Sequence, residues 1–285
     1  MVLEENYRLS NGLEIPKLGL GTWFISDDKV AQAVKEAVAL GYRHIDTAQA
    51  YQNERGVGEG VKIAGANREE LFITTKLAAE IKNYQQALDA IDGSLETMGL
   101  DYIDLLIIHS PKPWSKFLGT ESFAEGNKEA WRALEDAYKA GKLKAIGVSN
   151  FEKEDLENIL AGCTVKPMVN QILAHIGNTP LELINFCQKQ NILVEAYSPI
   201  GHGEIPSNEK LIDLAAKYKV GVAQLAIRYT LQLGLLPIPK TANPVHMKSN
   251  ASVDFEISSE DMELLSNIER IENYGEASVF PVFAK

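Results

Sequence analysis

Cysteine is scarce in this chain. Cys163 and Cys187 are the only two among 285 residues, and they form no CxxC pair. Read as part of helical patterns, they are small buried hydrophobes of a reducing compartment. Positive charge is also short: 39 acids against 28 bases leave a net charge of −11. A nucleic-acid surface is therefore not expected, although a local basic pocket for one phosphate remains open. No run of 18 apolar residues occurs and no apolar leader opens the chain, so neither membrane spanning nor secretion is expected. No linker composition or low-complexity tract divides it. These absences point to a cytoplasmic chain forming one domain over residues 1–285, without nucleic-acid or membrane partners; a monomer is expected, though the sequence does not fix the oligomeric state.

What is present is a regular alternation. Asn11-Gly12 between two short strand patterns predicts an N-terminal β-hairpin. A glycine-rich strand around Gly19–Thr22 follows. A helix over Asp27–Leu40 is predicted next, with Val30, Ala33, Val34, Ala37 and Val38 on one stripe. Further strand patterns end at Thr47, Lys76, His109, Asn150, Gln171, Ser198 and Lys240. Helical patterns separate them, and the run Tyr102–His109 is almost wholly apolar, as a parallel strand covered on both faces should be. With Thr22 this makes eight strand ends, spaced by 21 to 42 residues. Eight βα units in this length predict an α/β protein of the (β/α)8 TIM-barrel class. Two helical stretches, Asn208–Tyr218 and Val222–Leu233, precede the last strand, and Ser258 with Asp261 has the spacing of a helix cap.

Gly56-Val57-Gly58-Glu59-Gly60 imitates part of a dinucleotide fingerprint. It follows a loop instead of a strand and lacks the final glycine at the required spacing. Close packing of a helix is the simpler reading.

In a barrel the residues that end strands gather at one mouth, where activity is built. Here they include Asp46, Lys76, His109, Ser149, Asn150, Asn170, Gln171 and Lys240, with Tyr51 in the second loop. A lysine ending the apolar run Phe72–Lys76 needs an acid, and Asp46 on the neighbouring strand is the natural partner. Tyr51 beside that pair would feel the positive charge, which lowers a phenol below its ordinary value near 10. That would match it to protonating a carbonyl as it turns into an alkoxide, with His109 orienting or polarising the carbonyl.

The motifs Asp46-Thr47-Ala48 with Tyr51, Lys76 after Ile-Thr-Thr, His109 after Leu-Ile-Ile, Gly147–Phe151, Asn170-Gln171-Ile172, Ala196–Pro199 and Ile238-Pro239-Lys240 stand in one order. Together they resemble the aldo-keto reductases, over about Leu13 to Asp261. The short loops look most like the compact bacterial members that include 2,5-diketogluconate reductases. The resemblance implies NAD(P)H-dependent reduction of aldehydes and ketones by hydride transfer, with Asp46, Tyr51, Lys76 and His109 as the catalytic set. It implies NADP(H) held in an extended pose by Thr22, Trp23, Asp46, Ser149, Asn150, Gln171, Tyr197, Ser198, Ile200, Lys240, Thr241, His246 and Asn250. Trp23 and Trp114 would line the pocket for a small carbonyl substrate beside Tyr51 and His109, and Tyr274–Phe283 supplies aromatics for a short substrate loop. No metal is implied.

The chain departs from the family pattern at particular residues. His246 stands where arginine is frequent and Ser249 where glutamate is usual. An imidazole lacks the permanent charge and forked donors of a guanidinium, so NAD(H) use is expected beside NADP(H). Ser110-Pro111 follows His109 in place of Trp-Pro, and Asn170–Asn178 lacks the usual aromatic and His-Pro. Two other functions compete. One is a non-catalytic module sensing the redox state of NADP. The other is a metal-dependent hydrolase using His44, Asp46, His109 and His175, which Lys76 at the same mouth opposes.

Overall fold

The computed structural model describes residues 1–284. A hairpin opens the chain, β1 (Asn6–Arg8) paired antiparallel with β2 (Glu14–Pro16). Its turn uses only part of the Asn-Gly signal. Gly12 takes the left-handed conformation at φ 90°, whereas Asn11 accepts the Leu13 N–H through its side chain at 3.0 Å. The hairpin lies across the starts of the barrel strands: Tyr7 donates to Leu235 O at 3.2 Å and Asn11 to Lys144 O at 2.9 Å. That end is covered, and the other end carries the site.

Eight parallel strands follow in sequence order: β3 (Gly19–Gly21), β4 (His44–Asp46), β5 (Phe72–Leu77), β6 (Ile103–Ile108), β7 (Leu143–Ser149), β8 (Val169–Leu173), β9 (Leu193–Tyr197) and β10 (Leu236–Ile238). A parallel bridge between Gly21 and Lys240 joins the last strand to the first. Gly21 N donates to Pro239 O at 3.1 Å across that seam. This is the (β/α)8 barrel that the alternation predicts, and each observed strand ends within two residues of its expected end. β5 and β6 are buried at every position, which explains the nearly continuous apolar run of β6; β5 buries Thr74, Thr75 and Lys76 as well.

The helices are α1 (Asp27–Ala39), α2 (Glu54–Ile63), α3 (Tyr84–Met98), α4 (Ala124–Lys139), α5 (Lys153–Leu160), α6 (Leu181–Lys189), α7 (Glu209–Lys217), α8 (Val222–Gln232), α9 (Pro244–Ala251) and α10 (Ser259–Ser266). The α1 stripe is buried at all five predicted positions. Asn83 caps α3 by accepting from Gln85 N and Gln86 N, and Gly99 ends it in the left-handed conformation. Ser258 caps α10, its hydroxyl accepting from Asp261 N at 3.2 Å. Cys187 is in α6, but Cys163 lies in the turn beyond α5 and not in a helix. No helix of the described residues is long and apolar enough to cross a membrane.

The glycine decoy resolves as helix packing. Gly56, Gly58 and Gly60 all lie in α2. A side chain at Gly56 would strike Asp27 and Val30 of α1, and one at Gly60 would meet Val34 at 2.7 Å. At Gly58 it would collide with the backbone of Met98. No phosphate cradle is formed here.

Candidate active site

A cavity of about 640 Å³ opens at the C-terminal mouth of the barrel. Residues at or just beyond the strand ends set its floor, among them Asp46, His109, Ser149 and Asn150. Asp46 ends β4, and Lys76 of β5 donates to its Oδ1 at 2.6 Å and to Thr47 O at 2.8 Å. Both side chains are almost wholly buried. Burial pushes the Asp46 carboxyl up and the Lys76 ammonium down, and each charge opposes the shift of the other.

Tyr51 sits in a single 3-10 turn, Gln49–Tyr51, ended by Gln52 at φ 56°. The Lys76 ammonium lies over the face of its ring, 4.7 Å from the centroid. The expected lowering of the Tyr51 phenol is overturned: burial, then the Asp46 carboxylate, hold it well above its ordinary value. The lysine's hydrogen bonds run to Asp46 and Thr47, and its charge over the ring does not outweigh burial and the Asp46 carboxylate at the phenol. His109 follows β6, its ring edge-on to Tyr51 at 5.8 Å and to Trp114 at 5.1 Å. Burial, then Lys76, keep its imidazole neutral, well below the ordinary range.

One wall carries amides and hydroxyls from β7 and β8. Ser149 Oγ donates to Gln171 O at 2.8 Å, and Asn150 Nδ2 to His109 O and Ser149 Oγ, both at 3.0 Å. The Tyr197 hydroxyl fixes Asn150 by donating to its Oδ1 at 2.7 Å. Ser198 and Ile200 continue along the cavity to Lys240 at its exposed rim. Asp46, Tyr51, His109, Trp23, Trp114, Ser149, Asn150, Gln171, Tyr197, Ser198, Ile200 and Lys240 thus line one space.

Other expected residues stand off it. Lys76 lies beneath the lining, and Thr22 is buried with its hydroxyl donating to Asp46 O at 2.9 Å. Thr241 accepts from Asn243 N at 3.0 Å at the start of α9, on which His246 is exposed and Asn250 buried. Asn170 turns away from the mouth, since neighbours along a strand face opposite sides; its amide donates to Phe151 O at 3.0 Å. His44 is fully buried beside Thr74, at 2.9 Å. His175 is buried too, bonded to the Tyr274 hydroxyl at 3.0 Å, so the unusual Asn170–Asn178 sequence anchors the C-terminal segment. Among the described residues no three His, Cys, Asp or Glu side chains are placed to hold a metal ion together.

Several lining residues are not evident from sequence. Phe24, His202 and Phe280 surround Trp23, with ring centroids 4.5, 5.5 and 4.9 Å away. Of the seven non-glycine residues with positive φ among those described, Phe24, Asn150, Ser198 and His202 line this cavity. Such backbone is disfavoured and persists where the surroundings hold it, commonly at working sites. The clustered aromatics of Tyr274–Phe283 were the available signal, and Phe280, Pro281 and Val282 of that segment close the cavity from the tail.

A barrel whose C-terminal mouth joins a buried lysine–carboxylate pair, a tyrosine and a neutral histidine to an amide-lined wall is an oxidoreductase architecture. The profile of the aldo/keto reductase family matches residues 17–270, and this chain belongs to that family of nicotinamide-dependent enzymes acting on carbonyl groups. It is 42% identical over 275 residues to glyoxal reductase of Bacillus subtilis (strain 168), covering 96% of each chain. An aldo/keto reductase structure from Brucella melitensis superposes with a TM-score of 0.86 at 38% identity, covering 93% of this chain and 97% of that one. A Bombyx mori aldo-keto reductase in complex with NADP superposes with a TM-score of 0.86 at 33% identity, covering 99% of each chain.

Proposed function

We propose that this chain reduces small aldehydes and ketones to alcohols, with NADPH preferred and NADH also accepted. The observation that carries this reading is Tyr51, held neutral at the cavity floor over the Lys76–Asp46 pair. A general acid must arrive carrying its proton, and the raised phenol of partly buried Tyr51 meets that requirement. As the carbonyl oxygen gains negative charge, the phenol hands it the proton, and the Lys76 ammonium beneath the ring steadies the phenolate left behind. Neutral His109, across the floor from Tyr51, orients the carbonyl oxygen by hydrogen bonding.

The opposite wall suits a nicotinamide. Ser149, Asn150 and Gln171 offer polar groups to a carboxamide, and Tyr197 lines the same wall with an aromatic ring already fixed by its hydroxyl. A reduced nicotinamide bound there supplies the hydride. Ser198 and Ile200 lead from that wall toward Lys240, Thr241, His246 and Asn250, which would meet the adenosine end. His246 in place of a guanidinium weakens the grip on a 2′-phosphate.

The substrate end is aromatic, lined by Trp23, Trp114 and Phe280. That favours compact carbonyls, and the glyoxal reductase relative points the same way. The test is a panel of glyoxal, methylglyoxal, short sugars and aromatic aldehydes with each reduced cofactor, following loss of nicotinamide absorbance. Turnover of dicarbonyls with NADPH is expected. Binding of NADPH without turnover of any carbonyl would replace this reading with the redox-sensing one.

A further inference from the structure

Gln171 reaches across the barrel. Its Nε2 on β8 donates to Asp46 Oδ2 of β4 at 2.9 Å and to Glu195 Oε2 of β9 at 2.7 Å. Glu195 is its register neighbour and has no exposed surface, and no step of the proposed reaction uses it. A primary amide has two N–H bonds and one carbonyl. Two carboxyl groups take both N–H bonds. The carbonyl oxygen, which has no hydrogen-bond partner among the described residues, is left for the cavity that Gln171 lines.

One hydrogen bond is a hinge about which an amide can swing; two fix its plane. We propose that Glu195 is a positioning residue which, with Asp46, clamps the Gln171 amide so that its carbonyl faces the cavity, making that wall select a hydrogen-bond donor such as a carboxamide NH2. This rests on the reading of the cavity as a nicotinamide site. The remaining chemistry of Glu195 fits the role. Burial, aided by Asp46, pushes its carboxyl up to about 8, so it is neutral near pH 7. Its Oε1 has no hydrogen-bond partner among the described residues and lies 4.0 Å from His44 Nε2. A proton on Oε1 would leave Oε2 to accept from Gln171, as it does here. Without Glu195, one buried N–H of Gln171 is orphaned and has only the cavity to turn to.

The test compares binding of NADPH with that of its 3-acetylpyridine analogue, whose acetyl group accepts but cannot donate. Wild-type protein should favour the carboxamide by about fivefold to thirtyfold, the worth of one hydrogen bond whose loss strands a buried acceptor. Glu195→Met should bring the ratio to about twofold or less as the released N–H meets the acetyl oxygen. Glu195→Gln, which still accepts through its own carbonyl, should keep it. An unchanged ratio in Glu195→Met, or a lost one in Glu195→Gln, overturns the clamp. Should Glu195→Met fail to fold, the side-chain amide resonance of Gln171 decides without cofactor. It should titrate in wild type with a midpoint near 8, the value set by burial of Glu195, and stop titrating in Glu195→Gln. A Gln171 resonance unmoved across that pH overturns the proposal. If wild-type protein binds neither dinucleotide, the nicotinamide reading fails while the titration still tests the contact.

Discussion

Lys76 meets Tyr51 at the face of its ring, 4.7 Å from the centroid, while its hydrogen bonds run to Asp46 and Thr47. The lysine therefore acts on the tyrosine through space. Lys76 favours the phenolate through space, while burial and the Asp46 carboxylate outweigh it at rest and keep the proton on the phenol. Tyr51→Phe should leave the fold and NADPH binding intact and lower carbonyl reduction by about 10²-fold to 10⁴-fold. The pH profile follows from the same residue. Its phenol is raised well above 10, so the acid form persists through neutral and mildly alkaline pH. Steady-state rates should show no loss from Tyr51 ionisation below the ordinary phenol range.

His246 is exposed on α9, and the proposed function sets it beside the 2′-phosphate. His246→Arg should tighten NADPH binding by about tenfold, one charge-assisted hydrogen bond, and leave NADH binding within about twofold. Titration of both cofactors by tryptophan fluorescence checks this. Equal tightening of both would place the residue away from the phosphate.

The buried ionisable groups give stability a slope on both sides of neutrality. Burial depresses His44 to about 3 and His175 to about 4, below the ordinary imidazole value near 6.5. The unfolded chain takes up those protons first, so stability is full above about 6.5 and falls as pH drops toward the folded values, by about 3 kcal/mol or more per histidine. Glu195 runs the other way. Its folded value of about 8 exceeds the ordinary glutamate value of 4.5, so stability is full below 4.5 and is lost as pH rises through 8. Glu195→Gln should raise the midpoint of thermal unfolding at pH 9 more than at pH 6. An equal shift at both would show that Glu195 does not titrate in this range.

Gly58 of α2 lies against the backbone of Met98 at the end of α3. Gly58→Ala should destabilise the protein by about 3 kcal/mol, the upper range for overpacking, with no change in cofactor affinity for the folded fraction. Chemical denaturation with and without NADPH separates the two effects.

The barrel was legible because burial imprints itself on sequence. β6 is apolar at every position but Asp104, and α1 shows one stripe because one face packs. The polar ends of strands gave most of the cavity floor for the same reason. What sequence hid was set by distant contacts. Nothing local at Glu195 says that its neighbour across the ladder is Gln171, or that Asp46 lies within that amide's reach. Tyr51 lies beside Lys76 as the spacing predicts, yet its phenol shifts opposite to expectation, because the packing around a side chain is not written in spacing. The α9 helix was missed although Asn243-Pro244 supplies both its cap and its first residue; the Asn243 side chain accepts from Val245 N at 2.9 Å.

The seam between β3 and β10 has a consequence for how the protein breathes. Both strands are three residues long, and one bridge at Gly21 completes the circle. A Cβ at Gly21 would come within 2.9 Å of Ile238 O, so the two backbones touch because no side chain separates them. Gly21, Trp23, Ile238 and Lys240, on either side of this seam, also line the cavity. An occupant spanning it fastens the cylinder where its own ladder is thinnest. Ligand binding and cylinder closure are then one linked equilibrium, and amide-exchange protection on occupancy should rise most along Gly19–Thr22 and Leu236–Lys240.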